Sequence, residues 1–443
     1  MAYGQFEQFI RNLRRVMGSV NTKLQRDLTL RTRVARRFSL TDVADLLNID
    51  STYLARIAND EAAFPEGERT GRERTFSPPE ILLIRALIAS NPSAKRKHMY
   101  WRTYEEPVRI VTFGAQKGGT GKSLSAAHFA QYVNLYYGLR VGVIDADPQA
   151  TLSLYFADEA LPLFDDATPT LADFMGVDDP KAERLIQRSP KDLQEFWQPT
   201  PWPGVKLIPG GPNIQNGDIS LFFMSQTSKT PVYRILKQAI ATWDSGNSPK
   251  THIEDLRDPS GTFQVDAYNS ALNETVDVIV IDQQPSLTLM QLNGLIAADN
   301  VVIPQTMKGF DLATLTTYVS SIDDYLNFIM NYEPDIEIGK GQHVVLPTIV
   351  QEQNNQDTSQ ILDLFRQAPN DILKVWYNRS DAIANAAEQY KSIYEYRPPP
   401  GRRASAKAFL KNANAVNDAL VQRIWPELPS KGFADAFINQ HWA

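Results

Sequence analysis

The sequence predicts an α/β protein with a mostly parallel sheet flanked by helices, preceded by a helical N-terminal part. Beyond Pro107, short apolar segments alternate with helical patterns, which is the order expected of a parallel sheet. A glycine-rich turn joins the first of these segments to a helix. Residues 1–104 contain 18 Lys and Arg against 11 Asp and Glu, whereas the rest of the chain is acidic. A basic end on an acidic body suggests nucleic acid contact at that end.

Composition excludes several classes of site. The 443 residues include no cysteine, which rules out disulfide bridges, thiolate zinc sites and iron–sulfur clusters. The apolar share of 43% and the charged share of 22% are ordinary for a folded protein. No apolar run approaches the roughly 18–20 residues of a membrane span, and the N-terminus lacks the pattern of a secretory signal. We therefore expect a cytoplasmic protein without a membrane partner.

The first segment, residues 1–38, is predicted to form an amphipathic helix and a basic linker. Its apolar residues recur every three or four positions and form one stripe, made of Phe6, Phe9, Ile10, Leu13, Val16, Met17, Val20 and Leu24. A stripe this apolar must be buried somewhere. It packs either on the chain's own body or on a second copy, and we expect a dimerisation helix.

Residues 39–104 are predicted to form a helix-turn-helix followed by a wing. Ser39 and Asp42 form a variant of the capping box at the first helix, and Ser51 is the expected cap of a second helix, Thr52 to Ala58. Residues 66–76 add two glycines and three arginines. This order resembles the MerR-like winged DNA-binding module; the alternative is a helical packing domain with a solvated basic face. The resemblance implies DNA contacts from Thr52, Arg56, Arg69, Arg72 and Arg74.

Residues 105–443 are predicted to form the α/β domain. Its candidate strands are Val108–Phe113, Arg140–Asp145, Val205–Pro209, Val276–Asp282, Asn300–Ile303, Val344–Ile349 and Ile372–Val375. Residues 243–270 are rich in Asp, Ser, Pro, Asn and Gly, which predicts an irregular insertion whose role the sequence does not reveal. A C-terminal helix is expected near Ser405–Trp425.

The most informative stretch is residues 109–123, where a strand runs into a glycine-rich turn and then a helix. The turn reads Lys117-Gly118-Gly119-Thr120-Gly121-Lys122-Ser123. The backbone N–H groups of such a turn and the helix N-terminus favour a phosphate anion at one place. Lys122 can reach the β and γ phosphates of a nucleotide, and the Ser123 hydroxyl suits Mg²⁺. The strict P-loop pattern fails, because it needs a glycine where this chain has Gln116.

A second lysine, Lys117, begins the turn. With it the turn resembles the deviant Walker A box of the ParA/MinD ATPases, which are P-loop nucleoside triphosphatases. The resemblance implies that Lys117 reaches across a dimer to the partner's nucleotide. We therefore expect nucleotide binding by residues 117–123 and catalytic roles for Lys117 and Lys122.

Two carboxylates, Asp145 and Asp147, end the next strand. They lie two residues apart and so share one side of an extended backbone, at the strand end where open α/β sheets bind ligands. They could hold the water shell of a metal and a nucleophilic water. The run Asp145-Ala146-Asp147-Pro148-Gln149 is similar to the family's Asp-x-Asp-Pro-Gln box. That similarity implies that Asp147 positions or activates the attacking water and that Asp145 lies nearer the metal.

The third motif is an apolar strand that ends in Asp282, in the pattern of a Walker B motif. Asp282 would bind Mg²⁺ through water, as a Walker B aspartate does in other P-loop proteins. Pro285 and Ser286 begin a loop that can sense the γ-phosphate. The family usually has a proline before Pro285, where this chain has Gln284, and we expect no functional consequence from the difference.

With these motifs in order, the chain resembles the large plasmid-type ParA proteins and the RepA partition proteins of repABC plasmids. The resemblance implies a homodimer that uses ATP and Mg²⁺, cycles through ADP, binds DNA non-specifically and at its operator, and answers to a ParB-type centromere-binding protein. Arg379 stands where ParA sequences often keep a basic residue and is a further DNA-binding candidate. The alternatives are a nucleotide-switched transcriptional regulator and a MinD-type membrane regulator. The N-terminal module and the non-basic C-terminal end argue against the MinD type.

Overall fold

The structure is a computed structural model that describes residues 2–29, 36–71, 73–94, 96–158, 161–165, 167–179, 184–227, 231–334, 336, 339–353 and 355–442. Residues 30–35 of the predicted linker and the candidate Arg72 lie outside this description. The described strands are β1 Phe38–Ser39, β2 Glu68–Thr70, β3 Glu73–Phe76, β4 Arg109–Phe113, β5 Val141–Ala146, β6 Gln198–Pro199, β7 Val205–Ile208, β8 Val278–Gln283, β9 Asn300–Thr306 and β10 Val344–Thr348.

The helices begin in the N-terminal part and continue between the strands of the body. They are α1 Ala2–Thr29, α2 Leu40–Leu47, α3 Ser51–Asp60, α4 Pro78–Ala89, α5 Lys122–Tyr137, α6 Ser153–Phe156, α7 Leu171–Met175, α8 Pro190–Gln194, α9 Asn213–Thr227, α10 Ile235–Asn247, α11 Val265–Glu274, α12 Leu289–Ala297, α13 Gly309–Tyr332, α14 Asn355–Gln367, α15 Asp381–Ala387, α16 Arg403–Ile424 and α17 Phe433–His441. Within the described ranges, no helix is both long and apolar enough to cross a membrane.

The central sheet of the described chain has the strand order β10-β9-β4-β8-β5-β7-β6, and every pairing is parallel except that of the short edge strand β6 with β7. The side chains of strand β8 show that helices cover the sheet on both faces. Its Val278 and Val280 enter one apolar core with α5 and α16, and its Ile279 and Ile281 enter another with α7 and α10. The predicted mostly parallel α/β fold is therefore confirmed.

One predicted strand, Ile372–Val375, is wrong. Ile372 makes only an isolated parallel bridge to Val345, with Leu373 N donating to the Val345 carbonyl at 3.0 Å. The segment stays beside β10 without forming a ladder, because Tyr377 N donates to the Pro347 carbonyl at 3.0 Å and Asn378 makes a second isolated bridge, to Val350. Apolar β-branched residues alone did not distinguish a buried connecting segment from a strand.

The N-terminal part contains two short helices joined by a turn at Asn48, which has a left-handed backbone with φ of 52°. Ser39 and Asp42 form the predicted capping box of α2. The predicted cap of α3 is wrong: Asp50 holds this position, and its carboxylate accepts from the Thr52 and Tyr53 backbone N–H groups. Strands β2 and β3 form a hairpin, and β1 pairs with β3.

Most of the apolar stripe of the amphipathic α1 is exposed in the part of the helix whose side chains the structure describes. Six side chains of its stripe are between 42% and 60% exposed, namely Phe6, Phe9, Leu13, Val16, Met17 and Val20. Burial against the chain's own body is therefore excluded for these side chains, and the dimerisation helix stays a prediction.

The N-terminal part is joined to the body at the end of α5 that lies far from the glycine-rich turn. Tyr100 N donates to the Tyr137 carbonyl at 3.1 Å, and the buried Arg85 donates to the carbonyls of Leu135 and His98. Apolar side chains of α2, α4 and α5 share one core. The N-terminal part thus sits at the edge of the sheet opposite the carboxyl ends of the parallel strands.

The predicted irregular insertion at 243–270 is only partly irregular, because α10 ends at Asn247 and α11 begins at Val265. The segment between them contains Arg257, which forms hydrogen bonds to the N-terminal part. Arg257 donates to both carboxylate oxygens of Glu61, at 2.6 and 3.3 Å, and to the Leu87 carbonyl at 2.8 Å. The segment therefore connects the N-terminal part to the body.

Candidate nucleotide site

The glycine-rich turn forms a cradle at the carboxyl end of β4. Gly119 and Gly121 have φ of 79° and 78°, a left-handed conformation that glycine adopts at little cost. A Cβ added at Gly118, Gly119 or Gly121 would meet nothing within 4 Å, so the turn faces open space. Thr348, the last residue of β10, donates to the Thr120 carbonyl at 2.7 Å and holds the turn from outside. Helix α5 starts at Lys122 and directs its N-terminal N–H groups at the same space.

Lys122 and Asp282 form a buried ion pair at this cradle. Lys122 Nζ donates to Asp282 Oδ1 at 2.7 Å, and the two side chains are 7% and 0% exposed. Burial raises the pKa of Asp282 above its usual value, while the charge of Lys122 opposes this rise. The Ser123 hydroxyl lies near enough to lower the same pKa. The structure thus brings these three predicted site residues together, and their roles toward nucleotide and metal stay predictions.

Asp145 and Asp147 lie beside that pair. Asp145 stands opposite Asp282 in the register of β5 and β8. Its oxygens accept from Asp147 N at 3.1 Å and from the Ser153 backbone and hydroxyl, both at 2.8 Å. Burial, followed by the charge of Asp282, raises the pKa of Asp145 to about 7. Asp145 therefore anchors the turn that carries Asp147, and its role toward a metal stays a prediction.

Asp147 is the carboxylate that remains available. Its Oδ1 accepts from Gln149 N at 2.9 Å, and its side chain is buried at the end of β5. Within the described residues, no three His, Cys, Asp or Glu side chains are grouped so that they could hold a metal ion by themselves. The donor set of one hydroxyl and one carboxylate, Ser123 and Asp282, nevertheless fits the partial coordination by which proteins hold Mg²⁺ beside phosphates.

Lys117 differs from Lys122 in its surroundings. Its side chain is 50% exposed, and its ammonium pairs with Asp311 of the same chain. Asp311 lies in the first turn of α13 and also accepts from the Thr306 hydroxyl. Burial alone would raise the pKa of Asp311, but the hydrogen bonds from Lys117 and Thr306 outweigh it and hold the pKa below its usual range. In this structure Lys117 is thus held in its own subunit.

Sequence reasoning missed Asp311, Thr348 and Ser153. A signal did exist for two of them, because Thr348 is the next-to-last residue of one predicted strand and Asp311 follows another, both at the carboxyl edge of the sheet. The strand before Asp311 was expected to end at Ile303, but it extends to Thr306 and so brings α13 to the cradle.

The DNA-binding candidates fall into two groups. Thr52, Arg56 and Arg69 are exposed in the N-terminal part, whereas Arg379 is exposed after β10, at the nucleotide edge. The Arg56 guanidinium lies 5.2 Å from the Tyr53 ring centroid, and the Thr52 hydroxyl donates to the capping Asp50.

Arg74 is turned inward. It donates to the Glu66 and Pro65 carbonyls at 2.6 and 2.7 Å and packs over Phe64 and Phe76. These contacts give Arg74 a structural role in the hairpin, and its predicted phosphate contact would require them to break.

Comparison with known proteins identifies the family. The profile of the CobQ/CobB/MinD/ParA nucleotide binding domain matches residues 111–419. The putative replication protein A of Sinorhizobium fredii is 25% identical over 88% of this chain and 87% of its own. Protein SopA of Escherichia coli K12 is 25% identical over 72% of this chain and 70% of its own. A solved structure described as a partition protein shares the fold, with a TM-score of 0.53, 18% identity and coverage of 84% and 93% of the two chains. Since the profile spans most of the chain and includes the cradle, the protein belongs to the CobQ/CobB/MinD/ParA nucleotide-binding family.

Proposed function

We propose that the protein is a Mg²⁺-dependent ATPase that partitions DNA, such as a plasmid. The observation that carries the proposal is the presence of two lysines with different surroundings at one phosphate cradle. Lys122 is buried against Asp282, whereas Lys117 is half exposed and held by a single carboxylate. A buried lysine suffices to bind phosphate, so the exposed one is available for a facing subunit.

Hydrolysis would use the groups at the carboxyl ends of β4, β5 and β8. Lys122 and the N–H groups of residues 118–123 bind the phosphates. Mg²⁺, held by Ser123 and through water by Asp282, would neutralise phosphate charge. Asp147, fixed by Asp145, orients the attacking water and accepts its proton. Lys117 acts across the dimer like an arginine finger and makes turnover depend on dimer formation.

The DNA-related part of the proposal draws support from the relatives and from the basic N-terminal part. The relatives include Protein SopA and a chromosome partitioning protein ParA of Caulobacter vibrioides. The ATP dimer would bind nucleoid DNA non-specifically in the bacterial cytoplasm, and a ParB-type centromere-binding protein would stimulate hydrolysis. Thr52 and Arg56 would read the operator in autorepression, with α3 in the major groove, and Arg69 of the wing would contact its phosphates.

Mixing two inactive variants tests the proposal. Lys122→Ala should lose ATP binding, whereas Asp147→Ala should bind ATP and slow turnover on the order of 100-fold or more. Lys117→Gln should bind ATP but lose turnover and ATP-dependent DNA binding. A mixture of Lys117→Gln and Asp147→Ala should recover part of the ATPase rate, because one composite site then holds both groups. Lys407→Gln, at an exposed lysine of α16, is the matched control for Lys117→Gln.

Two results would contradict the proposal. Wild-type turnover by Asp147→Ala would remove that carboxylate from the mechanism. Mixed dimers that form, as shown by differently tagged subunits, and yet recover no activity would exclude action of Lys117 in trans.

A further inference from the structure

The loop that follows Asp282 is tied to helix α9 by a side chain that sequence reasoning set aside. Gln284 is buried, and its Nε2 donates to Asp218 Oδ2 at 3.1 Å and to the Thr288 hydroxyl at 2.7 Å. Its backbone carbonyl accepts from Gln291 Nε2 at 3.3 Å. A proline at position 284 would have no side-chain amide to donate, so this tether is a property of the glutamine.

Asp218 is placed to receive the tether by a close approach of two helices. A Cβ on its neighbour Gly217 would come within 2.8 Å of the Met290 Cε, so α9 and α12 lie very near each other at this point. Asp218 Oδ1 accepts from the Met290 N–H at 2.8 Å, in the first turn of α12. A carboxylate at a helix N-terminus is stabilised by the helix dipole. Each oxygen of Asp218 thus has one donor.

The tether lies close to the carboxylate that pairs with the cradle lysine. Gln284 is two residues from Asp282, so their backbones are separated by at most about 7 Å. Asp282 in turn pairs with Lys122, the lysine that would reach the γ-phosphate. We propose that Gln284 and Asp218 are positioning residues that hold the loop at 283–288 in the form that accepts a nucleotide with a γ-phosphate. This inference rests on the proposed ATPase function and names how the site distinguishes ATP from ADP.

An exchange of donor and acceptor tests the pair. Gln284→Glu places a second carboxylate against Asp218, and Asp218→Asn leaves one acceptor oxygen for two donors. In the double variant the new amide at position 218 donates to the new carboxylate at position 284 and still accepts from the Met290 N–H, so the tether is restored with its direction reversed. Gln284→Met, which has similar length but no donor, is a milder variant in case Gln284→Glu folds poorly. Thermal unfolding without nucleotide checks each fold.

The readout is the ratio of the affinities for fluorescent ATP and ADP analogues in the presence of Mg²⁺, with kcat and KM for ATP. We expect Gln284→Glu and Gln284→Met to reduce the ATP-to-ADP affinity ratio about 10-fold, a loss typical of one hydrogen bond to a charged acceptor. The double variant should return to within about threefold of wild type.

Two outcomes overturn the inference. An unchanged ratio in both Gln284 variants, or a double variant no better than Gln284→Glu, would leave the pair a merely structural contact. The failure of the proposed function looks different, because wild-type protein would then show no ATP turnover, and the inference would fail with it.

Discussion

Arg257→Ala removes one of the contacts between the body and the N-terminal part. The Arg257 guanidinium makes hydrogen bonds to Glu61, to the Ser90 hydroxyl and to the carbonyls of Leu87 and Gly261, at 2.6–3.3 Å. Its side chain is 9% exposed and that of Glu61 is 18% exposed. Breaking a buried pair from one side costs about 3–5 kcal/mol, because the remaining charge stays desolvated. Since Glu61 keeps some access to water, we expect the free energy of unfolding to fall by about 3 kcal/mol.

Urea unfolding followed by circular dichroism measures this loss, taken from the first transition if the N-terminal part unfolds before the body. The matched control is Arg366→Ala. Arg366 pairs with Asp363 on the same helix, but the two side chains are 73% and 63% exposed. Such a pair contributes at most about 0.5 kcal/mol. If Arg257→Ala lowered the free energy of unfolding by less than about 1 kcal/mol, or by no more than the control does, the segment between α10 and α11 would not hold the N-terminal part in place.

Three further predictions concern charge. Asp311→Asn should release Lys117, so that one ion pair in each subunit no longer has to break when the ATP dimer forms. The dimer dissociation constant, measured by sedimentation velocity, should fall about fivefold. An unchanged dissociation constant would contradict this. Burial lowers the pKa of His128 from 6.5 to about 3, so the unfolded chain takes up the proton first and stability falls below about pH 6.5. Unfolding at pH 8 and 5 should show an acid loss about 2 kcal/mol smaller for His128→Gln than for wild type, and equal losses would refute the assignment. Arg69→Ala should weaken operator binding and lower its salt slope by about 1, whereas Arg74→Ala should mainly lower stability; equal slopes would argue against Arg69 as a phosphate contact.

The cradle could be predicted because its signals are local. A strand, a glycine turn and a helix follow one another within 29 residues, from Arg109 to Tyr137, and the parallel register then brings Asp145 and Asp282 to the same edge. The partners of Lys117 and Gln284, in contrast, lie far from them in the sequence. Asp311 is 194 residues from Lys117, and Asp218 is 66 residues from Gln284. Neither pair has a spacing rule, because each depends on how a helix packs beside a loop at the edge of the sheet.

The same limit applies to the DNA-binding candidates, which the sequence could only collect by charge. Helix α5 has 16 residues and runs from the cradle to the N-terminal part, a length of about 24 Å. Arg379, whose backbone N–H donates to the Val350 carbonyl just past β10, lies near the cradle, and Arg56 lines a cleft with His98 near the far end of α5. We therefore expect the two groups to contact different DNA, or different parts of a long duplex. A variant of Arg379 should alter ATP-dependent non-specific binding and leave operator binding intact, and loss of both activities together would contradict this separation.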